Sequence, residues 1–457
     1  MKTITKDLVI IGAGPGGYEV AVKAAMAGLN VALVEKELVG GTCLNHGCIP
    51  TKALYKNAEV MHLLKNTQEF GVENLKYDFD FSTVQNRKNS ILDQLRNNII
   101  LMLKKANVEV IQGIASFVDE NKVNVKQNDS EIELIAEYFI IATGSNEKVI
   151  PIDGHNLPNV LTSKEMLDIN IVPKKLVIIG GGVIGVEMAT IFKEFGAEVV
   201  ILEYFDKLIP TMDKDISSRL KVYLKKLGVE VTNDALVEKI SNDNNKLVIN
   251  GKTKKGKEFS IDAEFVLMAT GRIANVDNLN LDSIDIVCDK TGIVVNENMQ
   301  TSLPHIYAVG DVTGKTMLAH VATYQSFKAL DHILGKENYT KFNVVPACVF
   351  TLPEIASVGL TEEEAKQRYG EIKSSKFMFR ANGKALTMSE VEGFVKVISY
   401  NDKLVGVHII GPQASSLIHE AAVLVEKEIL VKDAINVIHA HPTLSETLLE
   451  ALRKLVH

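Results

Sequence analysis

The sequence predicts an α/β chain with two Rossmann-like dinucleotide-binding units at the front and an α+β segment at the C-terminal end. Three observations carry that prediction. A short apolar run entering a glycine turn occurs twice. Each copy then reaches an acid at the same distance. Beyond residue 340 the pattern changes to alternating strands followed by helix-like stretches.

The first copy opens with Asp7-Leu8-Val9-Ile10-Ile11 and turns through Gly12-x-Gly14-x-x-Gly17. The second opens with Lys175-Leu176-Val177-Ile178-Ile179 and turns through Gly180-x-Gly182-x-x-Gly185. Helix-compatible segments follow at Tyr18 to Met26 and at Val186 to Phe195, each closed by a glycine, Gly28 or Gly196. A second apolar run comes next, Val31 to Val34 and Val199 to Leu202, ending in Glu35 and Glu203. From Gly12 to Glu35 and from Gly180 to Glu203 the step is 23 residues in both copies. A further strand ends in Ala-Thr-Gly in each half, at Ala142-Thr143-Gly144 and Ala269-Thr270-Gly271. These features divide the chain at about 1–147, 148–270, 271–340 and 341–457. In the last part, Val344 to Thr351, Phe394 to Ser399 and Leu404 to Ile410 read as strands, and 413–427 and 431–438 as helices.

The chemistry of the duplicated pattern is that of a dinucleotide fingerprint. The first glycine permits the tight turn, the second lets backbone approach a pyrophosphate, and the third lets the helix pack on the strand. The free N–H groups and dipole at the helix start favour the anion, and the acid accepts hydrogen bonds from ribose hydroxyls. At the second copy, a carboxylate at Glu203 suits the 2′- and 3′-hydroxyls and repels a 2′-phosphate, and no arginine follows closely. NAD is therefore expected over NADP.

Composition narrows the remaining classes. With 457 residues, 46% hydrophobic and 23% charged, the chain is an ordinary globular protein, and about three domains are expected at ~150 residues each. A net charge of −7 argues against general nucleic-acid binding. No apolar run approaches the ~18 residues of a membrane span. Lys2 and Lys6 before Leu8 to Ile11 faintly suggest a signal peptide, but the run breaks at once into the glycine turn, so a cytoplasmic chain is expected.

Four cysteines are too few for a disulfide scaffold. Cys43 and Cys48 stand five positions apart in Gly40-Gly41-Thr42-Cys43-Leu44-Asn45-His46-Gly47-Cys48-Ile49-Pro50-Thr51-Lys52. Two buried thiols or half of a zinc site are the plain alternatives. Zinc would need a second ligand pair, and none is present, so no metal is expected. A structural disulfide is disfavoured in the cytosol. A redox-active disulfide, exchanging electrons with a bound dinucleotide, is the leading reading. Cys288 and Cys348 have apolar neighbours and are expected to pack as small hydrophobes.

This thirteen-residue stretch resembles the signature of the flavin-dependent pyridine nucleotide–disulfide oxidoreductases, class I, and within them the dihydrolipoamide dehydrogenase family. The resemblance runs the whole chain, recurring at Gly180–Glu187, Gly310-Asp311, Ala381-Asn382-Gly383-Lys384-Ala385-Leu386 and His439-Ala440-His441-Pro442-Thr443-Leu444-Ser445-Glu446. It implies that the first fingerprint with Glu35 holds the ADP half of FAD, and that Asp311 binds toward the ribityl–pyrophosphate region. Lys36, Gly41, Thr42, Lys52, Thr143, Gly144, Ala319 and Gly271 are further cofactor-binding positions on the same ground. Lys52 matches the lysine beside the flavin, with Glu187 as its acidic partner. His441 matches the acid–base histidine and Glu446 its carboxylate, a dyad that in the family comes from the partner subunit. A homodimer follows, with 341–457 as the interface domain.

The implied reaction is oxidation of dihydrolipoamide, carried on lipoyl domains of a 2-oxo acid dehydrogenase or glycine-cleavage complex, by NAD⁺ through the Cys43–Cys48 disulfide and FAD. A related disulfide or mercuric reductase is the alternative within the family; mercuric reductases typically carry a vicinal cysteine pair near the C-terminus, which this chain lacks. A non-catalytic flavin redox sensor is the alternative outside it. The sequence departs from the family pattern at several places. His46 lies between the cysteines, and Thr51 replaces a serine. Phe350 replaces a tyrosine, a proline is missing before Asn275, and Tyr324-Gln325-Ser326 stands where an acidic-glycine pair is usual.

Overall fold

The computed structural model describes residues 2–244 and 246–456. The chain folds as two compact units, and both are discontinuous in sequence. The first comprises residues 2–53, 85–148 and 271–340; the second comprises 54–84, 149–244, 246–270 and 341–456.

The first unit is built on one mixed sheet. Its strands lie in the order Glu109–Gln112, Val31–Glu35, Lys2–Ile11, Glu131–Ile141, Lys122–Lys126 and Ile114–Asp119. The first four run parallel and the last two return antiparallel. Glu131–Ile141 divides its edge: its first half pairs with Lys122–Lys126, and its last three residues pair with Ile306–Ala308. The central strands read as continuous apolar runs because both faces are covered; Leu8, Val9 and Ile10 are all fully buried. The strand Lys2–Ile11 begins earlier than its apolar run, since Lys2 to Lys6 pair with Ile132 to Ala136.

The nucleotide helix of this unit spans Pro15–Met26, three residues ahead of the expected start. The second copy shows the same offset without a proline, so the capping glycine sets the start; Pro15 is accommodated at the first helical position, where its missing N–H costs nothing and its fixed φ suits the helix. The long amphipathic helix Phe81–Lys105, which the sequence pattern did not announce, contributes residues 85–105 to the same unit.

The second unit carries the duplicate. Its parallel sheet has the order Glu230–Thr232, Glu198–Leu202, Lys175–Ile179, Phe265–Met268 and Val160–Thr162. Its nucleotide helix is Val183–Glu194. A three-stranded antiparallel meander, Ala235–Asp243, Lys246–Thr253 and Glu258–Ala263, packs on this sheet through Ile240 and Ile249. The C-terminal part is the expected α+β layer. Five antiparallel strands, in the order Ala347–Val349, Glu354–Gly359, Lys403–Gly411, Phe394–Tyr400 and Lys373–Met378, pack against the helices Ala414–Glu426 and Glu446–Val456.

Two expectations here are corrected. The strand expected over 344–351 is only Ala347–Val349, because Pro346 has no N–H to give to a ladder. The helix expected over 431–438 is only Val431–Ala434. Val437 and Ile438 beyond it are exposed, so no packed face extends the helix.

Candidate active site

The two glycine turns have the same geometry. Gly12 and Gly180 take φ of +103° and +111°, and a Cβ there would strike the carbonyl oxygens of Ala142 and Ala269. At Gly17 and Gly185 a Cβ would strike the carbonyl oxygens of Gly12 and Gly180, so each helix sits at backbone distance from its strand. Gly14 and Gly182 cap the helices with extended backbone and no side-chain cap. In the first unit Pro15 has no N–H and the Gly17 N–H returns to the Gly14 carbonyl, which leaves the Gly16 N–H for a ligand; in the second unit the N–H groups of Val183 and Ile184 are left. This cradle fits a dinucleotide pyrophosphate in both units.

The strand-end acids also match. Glu35 accepts the Ala13 N–H at 2.8 Å on one oxygen and the Glu37 N–H at 2.8 Å on the other. Glu203 accepts the N–H of Gly181 and, at 2.7 Å, that of Phe205. Each carboxylate oxygen keeps a further lone pair for a ribose hydroxyl. The sequence assigned these acids to ribose alone; their second task is to lock the glycine turn to the end of the second strand. Lys36, just past Glu35, is exposed. Lys207, the cation nearest to Glu203 in sequence, faces Glu363 at 3.9 Å.

The cysteine stretch folds into two consecutive helices, Gly41–His46 and Cys48–Lys65, with Gly47 breaking between them. Gly41 takes φ +58°, and a Cβ on it would come within 2.6 Å of the Gly14 Cα, so the stretch lies directly against the first glycine turn. Thr42 is half-buried beside it. Cys43 and Cys48 are thiols in this structure. The hydrogen bond that the Cys43 thiol gives to the Cys48 side chain, with burial, pushes the Cys43 thiol up, while the charge of Lys52 pulls it down. Tyr18 is close enough for Cys43 to contribute to raising its phenol, after burial and Glu19. His46 faces Glu37, with Nε2 3.7 Å from the carboxylate.

Sequence reasoning missed Asn45. Its buried amide donates to the carbonyls of Leu38, Val39 and Gly41 at 3.0–3.3 Å and accepts from Arg96 at 3.0 and 3.2 Å. A polar residue with five such bonds fixes the loop that presents Cys43. Its only sequence signal is an amide side chain between the two cysteines.

Two further predicted positions of the first unit, Thr143 and Gly144, meet Asn275. Thr143 donates to the Asn275 carbonyl at 2.7 Å, and Asn275 answers through its amide to the Thr143 carbonyl at 3.2 Å and its N–H to Gly144 at 2.9 Å. The Asn275 backbone holds this joint without the missing proline. Gly271 takes φ +111°, and its carbonyl accepts the Lys148 N–H. Asp311 accepts the Ser145 hydroxyl at 2.6 Å. Burial raises its carboxyl, opposed by that hydrogen bond and the charge of Arg272. Ala319 opens the helix Ala319–Ile333. Within that helix, buried Gln325 accepts the Gly310 N–H at 2.7 Å, which supplies the acceptor that the usual acid would give.

The second unit holds the remaining acids. Glu187 is buried on the second nucleotide helix and accepts the Phe350 N–H at 2.9 Å. Only a backbone N–H of Phe350 is used, so the change from tyrosine leaves this bond intact. His441 Nδ1 lies 3.0 Å from Glu446 Oε1, and the second oxygen accepts the Thr443 N–H at 2.8 Å. His439 is separately paired with Glu420 at 2.9 Å.

One cysteine expectation is corrected. Cys288 is exposed, because the tight turn Asp289–Gly292 begins immediately after it and holds that edge at the surface. Cys348 is half-buried and packs against the C-terminal core. Among the described residues no three His, Cys, Asp or Glu side chains are grouped to hold a metal ion, and no helix is long and apolar enough to cross a membrane.

Comparison with known proteins gives one family. Residues 6–326 match the pyridine nucleotide-disulphide oxidoreductase family, and residues 345–452 match its dimerisation domain. A dihydrolipoyl dehydrogenase of Bacillus subtilis is 39% identical, over 97% of each chain. The mitochondrial dihydrolipoyl dehydrogenase of Pisum sativum is 37% identical, over 97% of this chain and 90% of its own. Among solved structures, the Cu(II) complex of the HOCl-induced flavoprotein disulfide reductase RclA from Escherichia coli superposes with a TM-score of 0.90 at 29% identity, over 99% of this chain and 100% of that one.

Proposed function

The chain belongs to the pyridine nucleotide-disulphide oxidoreductases, and from that premise we propose that it is a dihydrolipoamide dehydrogenase: dihydrolipoamide + NAD⁺ → lipoamide + NADH + H⁺. The observation that carries the reading is the pairing of the Cys43 and Cys48 side chains beside the first glycine turn, in a chain that also builds the His441–Glu446 dyad. FAD and NAD are its cofactors. Bound FAD supplies the two-electron link between thiol exchange and the nicotinamide ring.

The chain's own residues do the following. His441, oriented by Glu446, takes the proton from one thiol of the substrate. The thiolate formed attacks Cys43 Sγ of the Cys43–Cys48 disulfide, and Cys48 leaves as a thiolate. The substrate's second thiol then attacks the mixed disulfide, which releases lipoamide and leaves both enzyme cysteines reduced. Lys52 stabilises negative charge on sulfur. Glu187 braces the second nucleotide helix against the Phe350 backbone. Gly12, Gly14, Gly17, Glu35, Lys36, Gly41, Thr42, Thr143, Gly144, Asp311 and Ala319 serve FAD; Gly180, Gly182, Gly185, Glu203 and Gly271 serve NAD.

The four segments 1–147, 148–270, 271–340 and 341–457 are read as FAD, NAD, central and interface domains. The dimerisation domain supports a homodimer in which each dyad serves the partner's disulfide. Lipoyl domains of a multienzyme complex are the proposed partners and the cytoplasm the proposed location.

A metal-ion reductase is the second reading, favoured by the structural likeness to the copper complex of RclA. One assay separates the two. The purified flavoprotein is offered NADH or NADPH with lipoamide, glutathione disulfide, Hg²⁺ or Cu²⁺. Turnover with NADH and lipoamide is expected; turnover with metal ions alone would replace the reading.

A further inference from the structure

A chain of donors converges on Asp311 from a strand that no cofactor role has yet explained. Arg272 lies on the strand Arg272–Ala274, which pairs antiparallel with Ser145–Glu147. Its three nitrogens are each used. Nε donates to the Ser145 hydroxyl oxygen at 2.8 Å, one terminal nitrogen to the Ser145 carbonyl at 2.6 Å, and the other to Glu147 at 3.0 Å. The guanidinium has no acceptor, so the direction of every bond is fixed. Because Ser145 Oγ receives from Arg272, its single proton points elsewhere, and the acceptor within reach is Asp311 Oδ2 at 2.6 Å. That short contact is characteristic of an O–H···O⁻ bond.

We propose that Ser145 and Arg272 are positioning residues of the flavin site, ordering one donor chain, Arg272 to Ser145 to Asp311, that holds Asp311 as a fixed acceptor. With one lone pair of Oδ2 held by Ser145, the carboxylate plane is fixed and Oδ1 keeps both its lone pairs for a hydroxyl of the bound flavin nucleotide. The strand register matters here: a slip of one residue would turn Arg272 to the opposite face. Gln325 fits the same plan. As a neutral acceptor for the Gly310 N–H it avoids a second carboxylate beside Asp311, leaving Arg272 to set the local charge with Glu147 behind it.

This inference rests on the FAD reading, and its test separates the two. FAD dissociation from the purified full-length chain is followed by flavin fluorescence in the parent, Ser145→Ala, Ser145→Thr, Arg272→Gln, Asp311→Ala and the Ser145→Ala/Asp311→Ala double variant. Ser145→Ala and Arg272→Gln are each expected to weaken FAD binding about tenfold or more, the usual size of a hydrogen bond to a charged group. Ser145→Thr keeps the hydroxyl and should restore most of the loss. In the Asp311→Ala background, Ser145→Ala should cost nothing further, because its target is gone. Ser145→Ala holding FAD as tightly as the parent, or losing it equally with and without Asp311, would overturn the donor chain while leaving the flavin reading intact. A parent chain that takes up no flavin would overturn both.

Discussion

The His441 ring and the Glu446 carboxylate meet at 3.0 Å, at the start of the last helix. The Thr443 N–H first, and then His441, hold the Glu446 carboxyl below the usual carboxylate range. Glu446 therefore stays ionised at any pH where thiol exchange runs, and the imidazole keeps one orientation and one tautomer. Replacing His441 by Ala should lower kcat/KM for dihydrolipoamide by roughly 10²–10⁴-fold, the range of a lost general base. Glu446→Gln should cost less, since the amide can still accept from the ring. Equal activity of His441→Ala and the parent in a steady-state assay would remove this histidine from the chemistry.

Glu203 should set the choice of nicotinamide cofactor. Its carboxylate is already oriented by the N–H groups of Gly181 and Phe205, so its charge is fixed in place against a 2′-phosphate. Glu203→Gln is expected to lower the NAD/NADP preference, measured as the ratio of kcat/KM values, by about tenfold or more, the size of one charge-assisted bond. An unchanged ratio would place cofactor choice elsewhere.

The second unit carries a buried ion cluster whose loss should be visible in stability. Lys396 reaches Asp213 at 2.8 Å, Asp215 at 2.6 Å and Glu362 at 2.7 Å, and both Lys396 and Asp213 are almost fully buried. Burial pushes Asp213 and Asp215 up, but the neighbouring ammonium groups outweigh it and leave both below their ordinary values. Glu362 is lowered by Lys366 and Lys396. A depressed folded-state pKa gives stability that is complete above the unfolded carboxylate pKa of about 4 and is lost as pH falls through the lower folded values. Lys396→Met should cost about 3–5 kcal/mol at pH 7, because it strands a buried charge. The deficit should shrink in the Lys396→Met/Asp213→Asn pair and toward pH 3. Denaturant unfolding at both pH values checks this; a pH-independent deficit would contradict it.

How much of this was legible in the sequence depended on whether a signal was local. The glycine turns were, because backbone geometry at Gly12 and Gly180 admits one residue type, and the strand Lys175–Ile179 has the bounds its apolar run suggested. The start of Lys2–Ile11 was not, because its first residues are polar and exposed while still pairing with the neighbouring strand. The cysteine pair was legible as chemistry, but its support by Asn45 and Arg96 depends on residues 51 apart in sequence. Likewise Lys396 lay in an expected strand, Phe394 to Ser399, with no hint that it is buried among three acids, since those acids arrive from 34 and about 180 positions away. Asp311 was found through its motif; Ser145 and Arg272, which aim it, were invisible until the two strands paired.

The most direct test of the central claim is NAD⁺ reduction by dihydrolipoamide in the parent and in Cys48→Ser, with flavin content read from the absorption spectrum of the same samples. The account predicts NADH formation by the parent, and none above background by a Cys48→Ser protein that retains its full flavin. Parent-level NADH formation by flavin-replete Cys48→Ser would contradict it.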